Sequence, residues 1–327
     1  MKRIGKKWYG IFVILLLLIP FQALAGPPLK IGVSDWPGWV AWYIAQEKGF
    51  FKKYGVAVEL VWFPVYSDSI SALSAAKLDA NSQTWNDTMA PIAQGVDLKI
   101  ILVNDNSAGN DAIVAKPTIG SLKELEGKTV ALEQFTVSHL LLLYALSQNG
   151  MDPGKVHLVN MTVGDAAAAF LAGKVDAATL WNPWIIKIRQ SGKGKVLFTS
   201  QEAPGLIPDC LVVQTPVLKE RREDFIKVIR AWLDTVDFIN QDPAGAAEIM
   251  APKVDMKPGD YAPFLKGTRF FNLQDNLEAF TASPSMKSLY TSGAFIQDFL
   301  LKHKLLPKSF EIQQALDDSL LKEIAKK

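Results

Sequence analysis

Twice along this chain a series of short apolar runs alternates with amphipathic stretches of helical period, and this repetition restricts the fold more than any other feature. In the first series, residues 30–33, 56–63, 80–83 and 98–104 read as strands, and residues 40–54, 67–77 and a stretch from about Thr88 read as helices. That order predicts an α/β lobe built on a largely parallel sheet. The second series follows Lys116-Pro117. A short capped helix at 121–127 leads into strands at 129–133, 156–160, 177–180 and 196–199, with helices at 136–148, 165–172 and from about Pro183. A second lobe of the same kind is implied.

A local repeat supports the division. Ala76-Lys77-Leu78-Asp79-Ala80 and Gly173-Lys174-Val175-Asp176-Ala177 each lead through a short strand to Trp-Asn, at Trp85-Asn86 and Trp181-Asn182, with one residue of gap. Small, Lys and Asp residues are also ordinary at a helix-to-strand turn, and Asp79 and Asp176 read as turn residues. The Trp-Asn pairs stand at strand exits, where open α/β sheets bind ligands. Residues 111–116 and 209–214 read as strands crossing between the lobes. The chain after Val217 reads as mostly helical: 224–240, 244–251, segments near Tyr261 and Leu277, 292–303 and 312–326. The predicted organisation is a signal peptide at 1–25, a discontinuous first lobe at 26–112 plus 212–327, and a second lobe at 113–211.

The signal reading rests on a basic start (Lys2, Arg3, Lys6, Lys7), an apolar stretch from Ile11 to Phe21 and the small-x-small site Ala23-Leu24-Ala25. The apolar run is short for a membrane span and is interrupted by Pro20. Gly26 and Pro27 stand where a lipid-anchored protein would need cysteine. A soluble periplasmic protein, cleaved after about Ala25 and not membrane-inserted, is expected. Cleavage turns the formal net charge of +2 into −2, and no basic stripe points to nucleic acid. One cysteine, Cys210, and three histidines, His139, His157 and His303, make no zinc or Cys/His nucleophile pattern. Cys210 in Asp-Cys-Leu-Val-Val reads as a buried strand thiol, and no cofactor or metal is implied.

Four segments carry a family resemblance: Trp36-Pro37-Gly38-Trp39; the run from Ala45 through Glu47-Lys48-Gly49-Phe50-Phe51-Lys52-Lys53-Tyr54-Gly55-Val56; Asn104-Asp105-Asn106-Ser107 with Gly109 and Asp111-Ala112-Ile113-Val114; and Leu122-Lys123 with Leu125, Gly127-Lys128 and Val130. Over residues 29–239 the chain resembles the periplasmic binding-protein family for taurine, aliphatic sulfonates, nitrate and related nitrogen compounds. That resemblance implies a type II periplasmic-binding fold, with two α/β lobes, a cleft and a two-strand hinge. It also implies an ABC permease with its cytoplasmic ATPase as partner and a monomeric receptor. Trp36–Trp39, residues 81–87 and residues 204–209 are most similar to the branch associated with urea-like or guanidine-like solutes.

A receptor that closes two lobes over a small-molecule solute draws its site from strand-end loops of both. The first lobe offers Ser34, Asp35, Trp36 and Trp39, then Phe63 and Tyr66, then Gln83, Thr84, Trp85, Asn86 and Asp87. The second offers Glu133, Thr136, Val137, Ser138, Asn160, Thr162, Trp181 and Asn182, with Asp209 near the hinge. Thr136 and Ser138 can cap a helix, contact ligand or do both. Two Trp flanking Pro-Gly are hard to bury in a loop and read as pocket wall, whereas Trp42 and Tyr43 read as core. These loops contain no Arg or Lys, while Asp35, Asp87, Glu133 and Asp209 are acidic. Aromatic walls with carboxylates suit a cation, which favours guanidine, an amine or urea over a sulfonate or nitrate. If only one acid faces the ligand, neutral urea fits as well, and a taurine-like zwitterion satisfies both kinds of partner. Acid–base catalysis by the carboxylates is a rival reading, opposed by the export signal and the lack of a placed nucleophile. A sensory module acting through a separate membrane receptor is the other rival.

Overall fold

The computed structural model describes residues 26–326. The signal-peptide reading therefore lies outside the described residues. Among the described residues no helix is long and apolar enough to cross a membrane.

The first half of the first lobe runs β1 (Leu29–Val33), α1 (Pro37–Val40), α2 (Trp42–Glu47), α3 (Phe50–Tyr54), β2 (Val58–Trp62), α4 (Tyr66–Ser74), β3 (Ala80–Thr84), α5 (Trp85–Ala93) and β4 (Leu98–Ser107). The single helix expected at 40–54 is broken up: α1 and α2 part at Ala41, and Gly49 turns the chain at φ 71° between α2 and α3. The second lobe follows as β5 (Asp111–Ala115), β6 (Thr129–Leu132), α6 (Val137–Gln148), β7 (His157–Asn160), α7 (Val163–Leu171), β8 (Ala177–Trp181), α8 (Trp184–Gln190) and β9 (Lys195–Thr199). The chain then returns through β10 (Pro208–Gln214), α9 (Thr215–Glu220), α10 (Arg222–Gln241), α11 (Pro243–Met250), α12 (Pro258–Lys266), β11 (Thr268–Phe270), α13 (Leu273–Ala279), α14 (Leu289–Lys302) and α15 (Ser319–Ala325).

Two sheets result, in the orders β11-β4-β10-β3-β1-β2 and β7-β6-β8-β5-β9. They are mixed rather than largely parallel. Strands β1, β2 and β3 pair in parallel, and so do β6, β7 and β8, but β10 runs antiparallel to β3 and β4, and β5 antiparallel to β8 and β9. The crossings cause this. A strand that enters a sheet from the other lobe starts at the cleft, where the other strands end. The segments expected to cross lie wholly inside sheets, with β5 in the second and β10 in the first. The chain passes between the lobes at 108–110 and 200–207.

The aligned Asp residues do more than turn the chain. Asp79 Oδ2 accepts from Lys30 N–H at 2.8 Å, and Asp176 Oδ2 accepts from Thr129 N–H at 3.0 Å, so each ties the start of the neighbouring strand in its own lobe. Asp176 also pairs with Lys116 at 2.8 Å, and that ion pair with the Thr129 bonds holds its carboxyl at about 2. Cys210 is fully buried in β10, and burial pushes its thiol well up. The segment 312–326 is not one helix: a 3₁₀ turn at Ile312–Ala315 gives way to an extended stretch where Leu316 bridges Ile100, and α15 starts only at Ser319.

Candidate functional site

A small cavity lies between the lobes, lined by Trp36, Trp39, Tyr66, Thr84, Ile207 and Asp209 on one side and Asp111, Val137 and Trp181 on the other. Its walls are built by local sequence. Trp36 precedes α1 in extended conformation, and Pro37 at the first helical position starts the turn that brings Trp39 beside it, 6.4 Å away and edge-on. Trp39 packs on Tyr66 at 4.9 Å, and Tyr66 meets Trp181 of the other lobe edge-on at 5.8 Å. Gly38 has no Cβ, and the Asp105 carboxylate fills that space, where its Oδ1 accepts from Trp36 Nε1 at 3.0 Å.

Carboxylates dominate the surroundings. Asp105 and Asp209 are opposite one another in the β4–β10 pairing, so that each sits in the field of the other. Burial raises Asp105 and Asp111 to about 7, with the Trp36 and Ser107 side chains respectively opposing the rise. Asp209 goes well up, through burial and then the neighbouring Asp105 and Asp111. Asp105, Asp111 and Asp209 each keep an Oδ2 that is buried without a partner, as does the Nε1 of Trp39. Buried polar atoms are rarely left unpaired, and of these residues Asp111, Asp209 and Trp39 line the cavity.

Other predicted residues hold the lobes together. Asp35 reaches across the cleft, where Oδ1 accepts from Trp181 Nε1 at 2.8 Å and Oδ2 from Trp184 Nε1 at 2.7 Å. Asp87 accepts from Asn86 Nδ2 (2.6 Å), Thr84 Oγ1 (2.8 Å) and, from the second lobe, Val137 N–H at the start of α6 (3.2 Å). Burial outweighs these bonds and lifts Asp87 to about 7. Glu133 is likewise raised by burial, against hydrogen bonds from Ser67 of the first lobe. Thr136 stands at the N-cap position of α6, yet its hydroxyl donates to Glu133 O at 2.8 Å rather than capping, and Ser138 is buried in the first turn.

The remaining candidates are placed elsewhere. Phe63 packs half-buried against the first-lobe core. Gln83 is tied up with Asn81 and Thr88 inside that lobe. Asn160 is exposed and accepts from Gln134 N–H, and Thr162 caps α7. Asn182 pairs with Asn110 beside the crossing. The two Trp-Asn exits are not equivalent: Trp181 ends β8 and lines the cavity, whereas Trp85 begins α5, one register step on, and donates to Leu289 O in the core. Asp105, Asp111 and Ile207 escape the sequence reading of the site. The signal for the first two is present, since the apolar strand 98–103 runs into polar Asn104-Asp105-Asn106 without a turn residue, and Asp111 begins the next strand. A larger open groove of about 420 Å³, beside the crossings, draws only on them and the first lobe and is not interlobar.

Two α/β lobes, two crossings and a small cavity at the strand ends are the architecture of the type II periplasmic-binding fold. The chain belongs to the NMT1/THI5-like family, whose pattern matches residues 36–246. It is 25% identical to the taurine-binding periplasmic protein of Escherichia coli over 86% of this chain and 90% of that one. Among solved structures, the alkanesulfonate-binding protein SsuA from Xanthomonas axonopodis pv. citri superposes with a TM-score of 0.78 at 18% identity, covering 91% of this chain and 100% of that one. The periplasmic nitrate-binding protein NrtA from Synechocystis does so with a TM-score of 0.74 at 15% identity, covering 91% and 88%.

Proposed function

We propose that this chain is the exported receptor of an ABC importer and that it captures a small nitrogenous solute of guanidine, amine or urea type, handing it to a permease driven by a cytoplasmic ATPase. The observation that carries the ligand class is the pair of carboxylates, Asp111 and Asp209, on the wall of an aromatic cavity that no Lys or Arg lines. A buried carboxylate without a counter-charge is costly, and a desolvated cation against Trp and Tyr faces offsets that cost. A sulfonate or nitrate placed there would add like charge to the cluster.

Taurine-like zwitterions are the second reading. The unpartnered Trp39 indole N–H on the cavity wall favours a ligand that also carries an acceptor, and the relatives named above bind taurine, alkanesulfonates and nitrate. Binding by calorimetry and thermal shift, with guanidinium, urea, alkylamines, taurine, alkanesulfonates and nitrate on the chain from residue 26, separates these readings. Guanidinium or an amine is expected to raise the melting temperature in proportion to the logarithm of its concentration above Kd. Response to sulfonates or nitrate alone overturns the cation reading.

A further inference from the structure

Asp111 and Asp209 come from opposite lobes. Asp209 lies near the start of β10 in the first sheet and Asp111 begins β5 in the second, yet both line one cavity and both leave Oδ2 buried and unpartnered. We infer that these two carboxyls form a cross-cleft cation clamp, the specificity-determining pair of the site, and that a cationic solute enters it in exchange for a proton. The inference rests on the cation reading above and adds which residues read the charge and what leaves when it binds.

The closed arrangement of the walls needs protons. Burial, and then the neighbouring Asp105 and Asp111, push the Asp209 carboxyl well up, which favours its protonated form. Asp87 acts on Asp209 from α5, and Asp105, Asp209 and the Ser107 hydroxyl are set against Asp111. Among the described residues no basic side chain lines the cavity. Like charges on two lobes resist closure, so the unliganded cleft closes only when its carboxyls are protonated, whereas a monovalent cation bound between Asp111 and Asp209 takes the place of one proton and leaves the other carboxyl protonated. Because the ionised form of the site closes only around a positive charge, a neutral isostere gains nothing from the released proton. Burial holds Asp111 and Asp105 at about 7, which puts this exchange in the neutral range.

Calorimetry of guanidinium binding to the chain from residue 26, in two buffers of different ionisation enthalpy, counts the protons released. Close to one proton per guanidinium, from Asp111, is expected at pH 6, with affinity rising by up to about tenfold per pH unit below 7. Asp111→Asn should bind guanidinium at least about 30-fold more weakly and close much of the gap to urea. Its melting curve shows whether it folds, and the proton count on the unaltered chain needs no variant. Guanidinium binding with no proton release and no loss in Asp111→Asn overturns the clamp and leaves the cation reading standing. Failure of every cation to bind removes both.

Discussion

At Gly38 an added methyl group would lie 2.0 Å from Asp105 Oδ2 and 2.4 Å from its Cγ, closer than any relaxed contact. Its neighbours are fixed: Trp36 and Trp39 line the cavity, and Trp36 Nε1 holds the other carboxylate oxygen. The glycine of Trp36-Pro37-Gly38-Trp39 therefore makes room for a buried acid rather than serving a turn, since its φ is not in the left-handed region. Gly38→Ala should cost about 1–3 kcal/mol, the usual range for overpacking, and should move Asp105 away from Trp36. Urea unfolding of the variant measures the first effect and tryptophan fluorescence the second. Native stability with native fluorescence would mean that Asp105 has freedom the packing denies it.

At the scale of elements, the same contest between space and propensity decides where α14 lies. Gly293 is buried in that helix, and a Cβ there would be 2.6 Å from Trp85 Nε1. Replacing an interior helical glycine by alanine ordinarily gains up to about 1 kcal/mol, but pushing α14 off α5 costs about 1–3 kcal/mol and breaks the bond from Trp85 to Leu289 O. Gly293→Ala should lower the melting temperature while leaving ligand affinity intact, because Trp85 does not line the cavity. The element order of both lobes is legible in the sequence because apolar period and turn residues are local signals. Sheet polarity is not, since the antiparallel strands β5 and β10 owe their direction to crossings that no local period records. The strand-end rule places Trp36, Trp39, Thr84, Trp181 and Asp209 at the cavity. Gln83 fails that rule because a strand's side chains alternate, and it points into the lobe. Trp85 misleads because one extra residue before it moves a strand end into a helix start. Asp111 is hidden because it begins what reads as a crossing strand.

For the whole molecule, closure gathers acids that the unfolded chain would keep apart, and this sets how stability depends on pH. Asp87, Asp105 and Asp111 titrate near 7 when folded, against an ordinary value near 3.8, and Asp35, Glu133 and Asp209 shift in the same direction, all chiefly through burial. Between about pH 4 and 7 the folded protein holds protons that the unfolded chain has released. Stability therefore falls as pH rises, by up to about 1.4 kcal/mol per pH unit for each such group. His139, lowered to about 4 by burial and by His303, and His303 itself oppose this below 6.5, because there the unfolded chain binds the extra proton. The carboxyls outnumber them. Below the ordinary carboxylate range Asp176 adds the reverse slope, its contribution being lost as pH falls towards 2. The unliganded protein should consequently melt highest near pH 4–5 and lose stability steadily to pH 7. Millimolar guanidinium, which binds the ionised site, should flatten that decline, since its stabilisation grows as the protons leave. Differential scanning calorimetry from pH 4 to 8, with and without guanidinium, reads both slopes. A melting temperature that rises through this range without ligand would mean that the buried acids are already ionised in the folded state.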